Sequence, residues 1–359
     1  MDNQTYIIAE AGVNHNGQEK LAFELIDKIK EAGADAVKFQ LFQASHLTTQ
    51  AAPQADYQIQ NTAKKHSQYE MLKSLELSFA VFEKLKRHAD ECDIDFIVTP
   101  FDLESLAFLV DGLALPTLKI SSGDVTHGPL LLAAARSQAD IILSTGMSTL
   151  SEIEQALKVL VLGMIEEQAN PTQAMLDTCY ALPEAFALLQ QRVTLLHCTS
   201  EYPAPFEDVN LKAMDTLHAA FGLCVGFSDH TVGIEVPIAA VARGAMVIEK
   251  HVTLDKNLPG PDHLASLDIV ELKQMVQAIR HVEMAIGDGR KCPRVSEMKN
   301  MTMVRRALVA NQDIDIGDTF SASNLAVKRH TGGISPMAYW DWLGKTAQKR
   351  YSKDEAISE

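Results

Sequence analysis

The sequence predicts an α/β protein: a (β/α)8 TIM barrel followed by a small, mainly β domain. Three observations predict it. Short apolar runs alternate with amphipathic stretches eight times within the first 286 residues, and that alternation makes a parallel sheet covered by helices, of the length a closed barrel needs. The runs are apolar on both faces, as strands buried between a barrel interior and a helical ring must be. After residue 287 the alternation stops, and short β-like pieces punctuated by Gly and Pro take over. A doubly wound open sheet fits less well, because the first turn, "EAGVNHNG" (10–17), is not G-x-G-x-x-G.

Each element follows from local pattern. "YIIAEAG" (6–12) is the first strand, and residues 19–33 carry apolar positions at helical spacing. "DAVKFQLF" (35–42) is the second strand. Residues 43–75, a polar mixture of Gln, Ala and His, are too long for an ordinary connection and predict a functional loop or cap. Helix 79–91, strand 95–101, helix 103–111, strand 117–124, helix 129–138, strand 140–147 and helix 151–166 continue the alternation. A second insertion occupies 167–190. Strand 193–203, helix 210–220, strand 223–231, helix 234–243, strand 246–253 and helix 267–285 complete it. The expected division is a barrel at 1–286, a polar linker at 287–303 and a small domain at 304–359, with turns at Ile316-Gly317-Asp318 and Gly332-Gly333. A domain that small is marginal alone and is expected to dock onto something.

Composition narrows the function. Net charge is −15, from 32 basic and 47 acidic residues, which argues against a nucleic-acid or anionic-membrane partner. No apolar run reaches membrane-spanning length and no signal-peptide pattern opens the chain. Five scattered cysteines without a C-x-x-C pair point to a reducing, cytoplasmic enzyme.

Barrel enzymes carry their chemistry at the carboxyl ends of the strands. Here every such end is polar: Glu10; Lys38 and Gln40; Thr99; Lys119 and Ser122; Ser144; His197, Ser200 and Tyr202; Ser228, Asp229 and His230; Glu249 and His251. That ring is costly to bury unless it partners a ligand. His230 and His251 fall on neighbouring strands and predict a divalent metal held by two imidazoles. Two histidines are fewer than catalytic zinc usually takes, so Mn2+, Co2+ or Mg2+ is expected, Mn2+ first. Lys38 and Lys119 at inward positions, beside the hydroxyls of "SSGD" (121–124) and "STGM" (144–147), predict a phosphate or carboxylate site. Glu10 and Asp262, the latter in "GPDH" (260–263), are the candidate acid/base pair.

Taken together and in order, "IAEAGVNHNG", "AGADAVKFQ", "TPFD", "KISSGD", "ILSTGMS", "LLHCTSEYPAP", "GFSDHT", "EKHVTLD" and "GPDH" resemble the sialic acid synthase family. The tail "LVANQDIDIGDTFSASNLAVKRHTGGISP" resembles that family's antifreeze-like (SAF) domain. The resemblance implies condensation of phosphoenolpyruvate with an unphosphorylated N-acyl mannosamine-type sugar, giving phosphate and a nine-carbon 2-keto acid such as N-acetylneuraminate or legionaminate. By resemblance, His230 and His251 hold the metal; Lys38, Thr99, Lys119, Ser122, Ser144, Ser200 and Ser228 hold phosphoenolpyruvate; Glu10, Gln40, Tyr202 and Asp262 meet the sugar. It also implies a homodimer in which Arg329 of the SAF domain reaches over the other copy's barrel. Ser200 departs from the Asn many members carry, which weakens that one contact. "CTSEYPAPFEDVN" (198–210) is similar to bacterial members acting on free sugars, the legionaminic acid synthases among them. Three other readings stay open on the residues: an octulosonate- or heptulosonate-type synthase, a lyase working through Lys119, and a non-catalytic carbohydrate-binding protein.

Overall fold

Strand β1 (Tyr6–Gly12) pairs on one side with β2 (Ala36–Leu41) and on the other with β8 (Val247–His251), which closes the sheet. Between them run β3 (Asp95–Pro100), β4 (Thr117–Ile120), β5 (Asp140–Ser144), β6 (Val193–Cys198) and β7 (Cys224–Asp229), all parallel and in chain order. The expected eight-stranded barrel is therefore the observed one. This computed structural model describes residues 4–55, 58–59, 67–166, 168 and 170–359.

Two cores follow from the two faces of each strand. Outward residues such as Val37, Val98, Leu118, Leu143, Leu195 and Ile248 pack with the helical ring into the main core. Inward residues Ile8, Ala36, Ile97, Ile142, Leu196 and Val247 form a separate apolar layer inside the barrel. Gly226 allows that layer to close: a Cβ there would sit 2.4 Å from the Val247 carbonyl oxygen and 2.7 Å from Leu196 Cδ2. Each strand's next inward residue lies two positions further on, so the polar strand ends are stacked on this apolar floor.

The helices start and stop on local chemistry. Thr149 and Glu152 form a capping box for Leu150–Ile165, and Asp268 and Glu271 one for Ile269–Ile286. Four segments differ from the sequence expectation. The helix expected at 103–111 is α-helical only over Leu103–Ala107 and continues as a wider π turn, Phe108–Gly112. The long segment after β2 carries helices Ala44–Leu47 and Gln68–Leu75; residues 56–57 and 60–66 of it lie outside the described residues. The 167–190 segment is largely helical, Gln173–Tyr180 and Pro183–Arg192. Lys158 ties the first of these to the helix Leu150–Ile165 through Asp177 at 2.8 Å, so the segment thickens the outer ring. Val295–Val304, all but the last residue expected as linker, form a helix with no buried residue.

The chain divides into two compact units, residues 1–287 and 288–359. In the second, β9 (Arg306–Ala310) pairs antiparallel with β10 (Leu325–Arg329). Leu308, Ile314, Phe320, Leu325, Tyr351 and Ile357 make its core. Among the described residues, no helix is long and apolar enough to cross a membrane.

Candidate active site

Above the apolar floor, strand alternation places Glu10, Lys38, Thr99, Lys119, Ser144, Cys198, Ser228 and Glu249 in one buried polar layer. The charges in it are matched. Lys38 Nζ lies 2.6 Å from Glu10 Oε2 and 3.6 Å from Glu249 Oε2, while Lys119 Nζ lies 3.2 Å from Glu249 Oε1. Gln40 Nε2 donates to Glu10 Oε1 at 3.0 Å, and Ser228 Oγ donates to Glu249 Oε1 at 2.8 Å. Burial opposes the charge on every member. On Lys38 the two glutamates outweigh burial and raise its pKa, whereas burial prevails on Lys119 and lowers it. Glu249 is held below the usual carboxylate range, Lys119 and Lys38 overcoming the cost of burial.

One wall of the cavity is built from hydroxyls. Ser122 Oγ accepts the Gly146 N–H at 3.0 Å and lies 3.0 Å from Cys198 Sγ. Ser144 Oγ is buried with no hydrogen-bond partner, an orphan that a ligand oxygen would satisfy. Gly146 lets the side chains of this wall close up. A Cβ there would fall 2.5 Å from Ser200 Oγ, 2.8 Å from Cys198 Sγ and 3.0 Å from Ser122 Oγ. Gly146→Ala must therefore displace three side chains of the wall together. We expect it to weaken the binding of inorganic phosphate, an oxyanion probe of this wall, at least tenfold, a loss of about 1.4 kcal/mol, with the unfolding midpoint near that of the unsubstituted protein. Unchanged phosphate affinity would remove this wall from an anion site.

The histidines occupy the rim. His230 Nδ1 is fixed by the Thr199 carbonyl at 2.6 Å, leaving Nε2 on the other side of the ring, 3.4 Å from Ser228 Oγ. The His230 and His251 ring centroids are 5.6 Å apart, and Tyr202 packs on His230 at 4.1 Å. His251 Nδ1 is buried without a hydrogen bond and lies 3.9 Å from Asp262 Oδ2. Burial holds both imidazoles neutral, His230 down to about 4 and His251 well below its ordinary value. Burial, then the Glu10 charge, pushes the Asp262 carboxyl up to about 7.

The polar cavity, about 400 Å³, is lined by Glu10, Lys38, Gln40, Thr99, Lys119, Ser122, Ser144, Ser200, Tyr202, Ser228, His230 and His251 among others. An adjoining chamber of about 280 Å³ shares Gln40, Tyr202 and His251 and adds Asp262, with Phe42, Leu47, Met71 and Leu72 as apolar lining. Thus thirteen of the fourteen site residues expected from sequence line these two spaces. Arg329 belongs to the second unit, where it ends β10 on an exposed position. Two strand-end residues noted in the sequence turn away. His197 hydrogen-bonds the Val209 carbonyl, and Asp229 pairs with buried Lys250 at 2.5 Å. Sequence reading gave Glu249 no role, although its spacing from Val247 and His251 already placed it inward.

The chain matches the NeuB family over residues 25–291 and the SAF domain over residues 305–359. It is 49% identical to the N,N'-diacetyllegionaminic acid synthase of Campylobacter jejuni over 99% of both chains. The chain belongs to the NeuB family. A second N,N'-diacetyllegionaminic acid synthase, from Legionella pneumophila, is 45% identical over 92% of this chain and 87% of its own. Among solved structures, the N-acetylneuraminic acid synthetase of Leptospira borgpetersenii superposes with a TM-score of 0.66 at 32% identity, covering 83% of this chain and 90% of that one. This NeuB chain is accordingly a synthase, of a family that uses a divalent metal. Its rim fits such an ion: two neutral, buried imidazoles, one with its far nitrogen fixed and the other with a nitrogen lacking a partner.

Proposed function

We propose that this NeuB synthase condenses phosphoenolpyruvate with the open-chain form of a 2,4-diacetamido-6-deoxy mannose, forming the legionaminate-type 2-keto acid and phosphate. The observation that carries the reading is the pairing of two spaces: a hydroxyl-lined cavity holding two lysines, and a side chamber in which apolar Phe42, Leu47, Met71 and Leu72 stand beside Gln58, Gln68 and Asp262, the two meeting at Gln40, Tyr202 and His251. The first suits a phosphorylated enol acid; the second, with amide, carboxyl and apolar side chains together, suits the acetamido and methyl groups of an acylated deoxy sugar. The two synthases of 49% and 45% identity support that acceptor.

In this reading Lys38, Lys119, Thr99, Ser122, Ser144, Ser200 and Ser228 hold phosphoenolpyruvate with C3 toward the sugar aldehyde. A divalent ion held by His230 and His251, Mn2+ foremost, supplies Lewis acidity at the aldehyde oxygen when bound. The enol C3 bonds to the aldehyde carbon, and the carbonyl oxygen takes a proton. In this reading Asp262, its carboxyl pushed up to about 7 by burial and then the Glu10 charge, gives it, and Glu10 takes one from the water that adds at C2. The resulting hemiketal phosphate releases inorganic phosphate by C–O cleavage, leaving the 2-keto group.

We further propose a homodimer in which Arg329 from the second unit of the neighbouring copy anchors the acylated sugar. Arg329→Ala is expected to raise the sugar KM at least tenfold and leave phosphoenolpyruvate affinity within twofold, differences of about 1.4 and 0.4 kcal/mol; unchanged sugar kinetics would remove it from the site. The five free thiols support a cytoplasmic location. The deciding experiment is phosphate release from phosphoenolpyruvate with Mn2+, offering the 2,4-diacetamido-6-deoxy mannose and N-acetylmannosamine side by side. Faster release with the diacetamido sugar is expected; preference for N-acetylmannosamine would overturn the acceptor and keep the reaction.

A further inference from the structure

A second set of metal-ligand side chains converges on the outside of the barrel. Asp27 lies on the helix Glu19–Ala32; His88 lies on the neighbouring helix Phe79–Glu91, and Cys92 caps that helix one turn later. Their ligand atoms all fall within 4.8 Å of one another. His88 Nε2 is 2.7 Å from Asp27 Oδ1, and Cys92 Sγ is 3.6 Å from Asp27 Oδ1 and 3.7 Å from His88 Nε2. A tetrahedral Zn2+ with ordinary bond lengths puts its sulfur and nitrogen ligands about 3.5 Å apart and its oxygen and nitrogen ligands about 3.3 Å apart. Both edges involving sulfur already match, and the third needs to open by about 0.6 Å against that ideal.

The surroundings favour a cation. Phe23 packs edge-on against the His88 ring at 5.0 Å between centroids, which restricts its orientation. Burial, then the hydrogen bond to Asp27 and the Asp27 and Glu91 charges, pushes the Cys92 thiol up against the opposing Lys30 charge, and a bound metal would displace the thiol proton. None of the three residues lines the catalytic spaces. We propose that Asp27, His88 and Cys92 form a surface site for a thiophilic divalent ion, Zn2+ by its donor set, with solvent completing a tetrahedral shell. The ion clamps two adjacent outer helices, a role separate from the synthase reaction.

The test uses Co2+ as a spectroscopic probe on the full chain after chelator treatment. A thiolate-to-cobalt charge-transfer band is expected in the unsubstituted protein and in the His230→Ala/His251→Ala double variant. It should vanish in Cys92→Ser, weaken at least tenfold in apparent affinity in His88→Ala, a loss of about 1.4 kcal/mol, and be displaced by Zn2+. Zn2+ should raise the melting temperature of the unsubstituted protein more than that of Cys92→Ser. Circular dichroism checks the fold of each variant, with Asp27→Asn as a further substitution that leaves both helices' cores untouched. Absence of the band in the unsubstituted protein, or its survival in Cys92→Ser, would overturn the site.

Discussion

His230→Ala and His251→Ala should each leave the barrel folded and reduce turnover on the order of a thousandfold or more. A Lewis acid at a carbonyl oxygen is worth several kcal/mol of transition-state stabilisation, and about 4 kcal/mol is a thousandfold in rate. The fold should survive, because each imidazole sits on the rim above the apolar floor, and its loss removes neither floor residues nor a strand pairing. Two measurements separate the roles. Mn2+ binding by calorimetry should weaken in both variants, while phosphoenolpyruvate binding, carried by the layer beneath, should persist. Turnover within tenfold of the unsubstituted rate in either variant would end the metal assignment.

The second large effect is on stability. Glu249→Ala should lower the unfolding free energy by roughly 3–5 kcal/mol, the cost of breaking a buried ion pair from one side. Glu249 is 4% exposed and stands between Lys38 and Lys119. Its removal leaves the second lysine without its carboxylate and the first with Glu10 alone. The uncompensated charge should also make the cavity a better anion site, so inorganic phosphate should bind the variant more tightly and recover part of the lost stability. Glu249→Gln, which keeps an acceptor for Ser228 but not the charge, should fall between. Urea unfolding with and without phosphate reads all three. A Glu249→Ala midpoint equal to that of the unsubstituted protein would show that the lysines do not depend on it.

Much of this is legible in the chain itself. Strand–helix alternation is local, so eight units and their closure into a barrel could be read directly, and with them the polar strand ends that converge at one face. The histidine pair was legible for the same reason: residues 230 and 251 end successive strands. The side chamber was not, because it forms where Phe42, just past β2, meets Met71 and Leu72 of a helix within the long segment that follows.

The sequence by itself determined which residues are polar at each strand end, because the apolar run and its termination are neighbours along the chain. Only the tertiary structure decided which of them meet across the cavity. In a pleated strand the facing of consecutive residues alternates, so Glu249 and His251 turn inward while Lys250 between them pairs with Asp229 outside the cavity. Charge balance was decided there too. Glu249 on β8 meets Lys38 on β2 and Lys119 on β4 across the barrel interior, and Gly146 is packed against Ser122, Cys198 and Ser200, each more than twenty residues away. Those distances are set by barrel closure, and no window of sequence contains them.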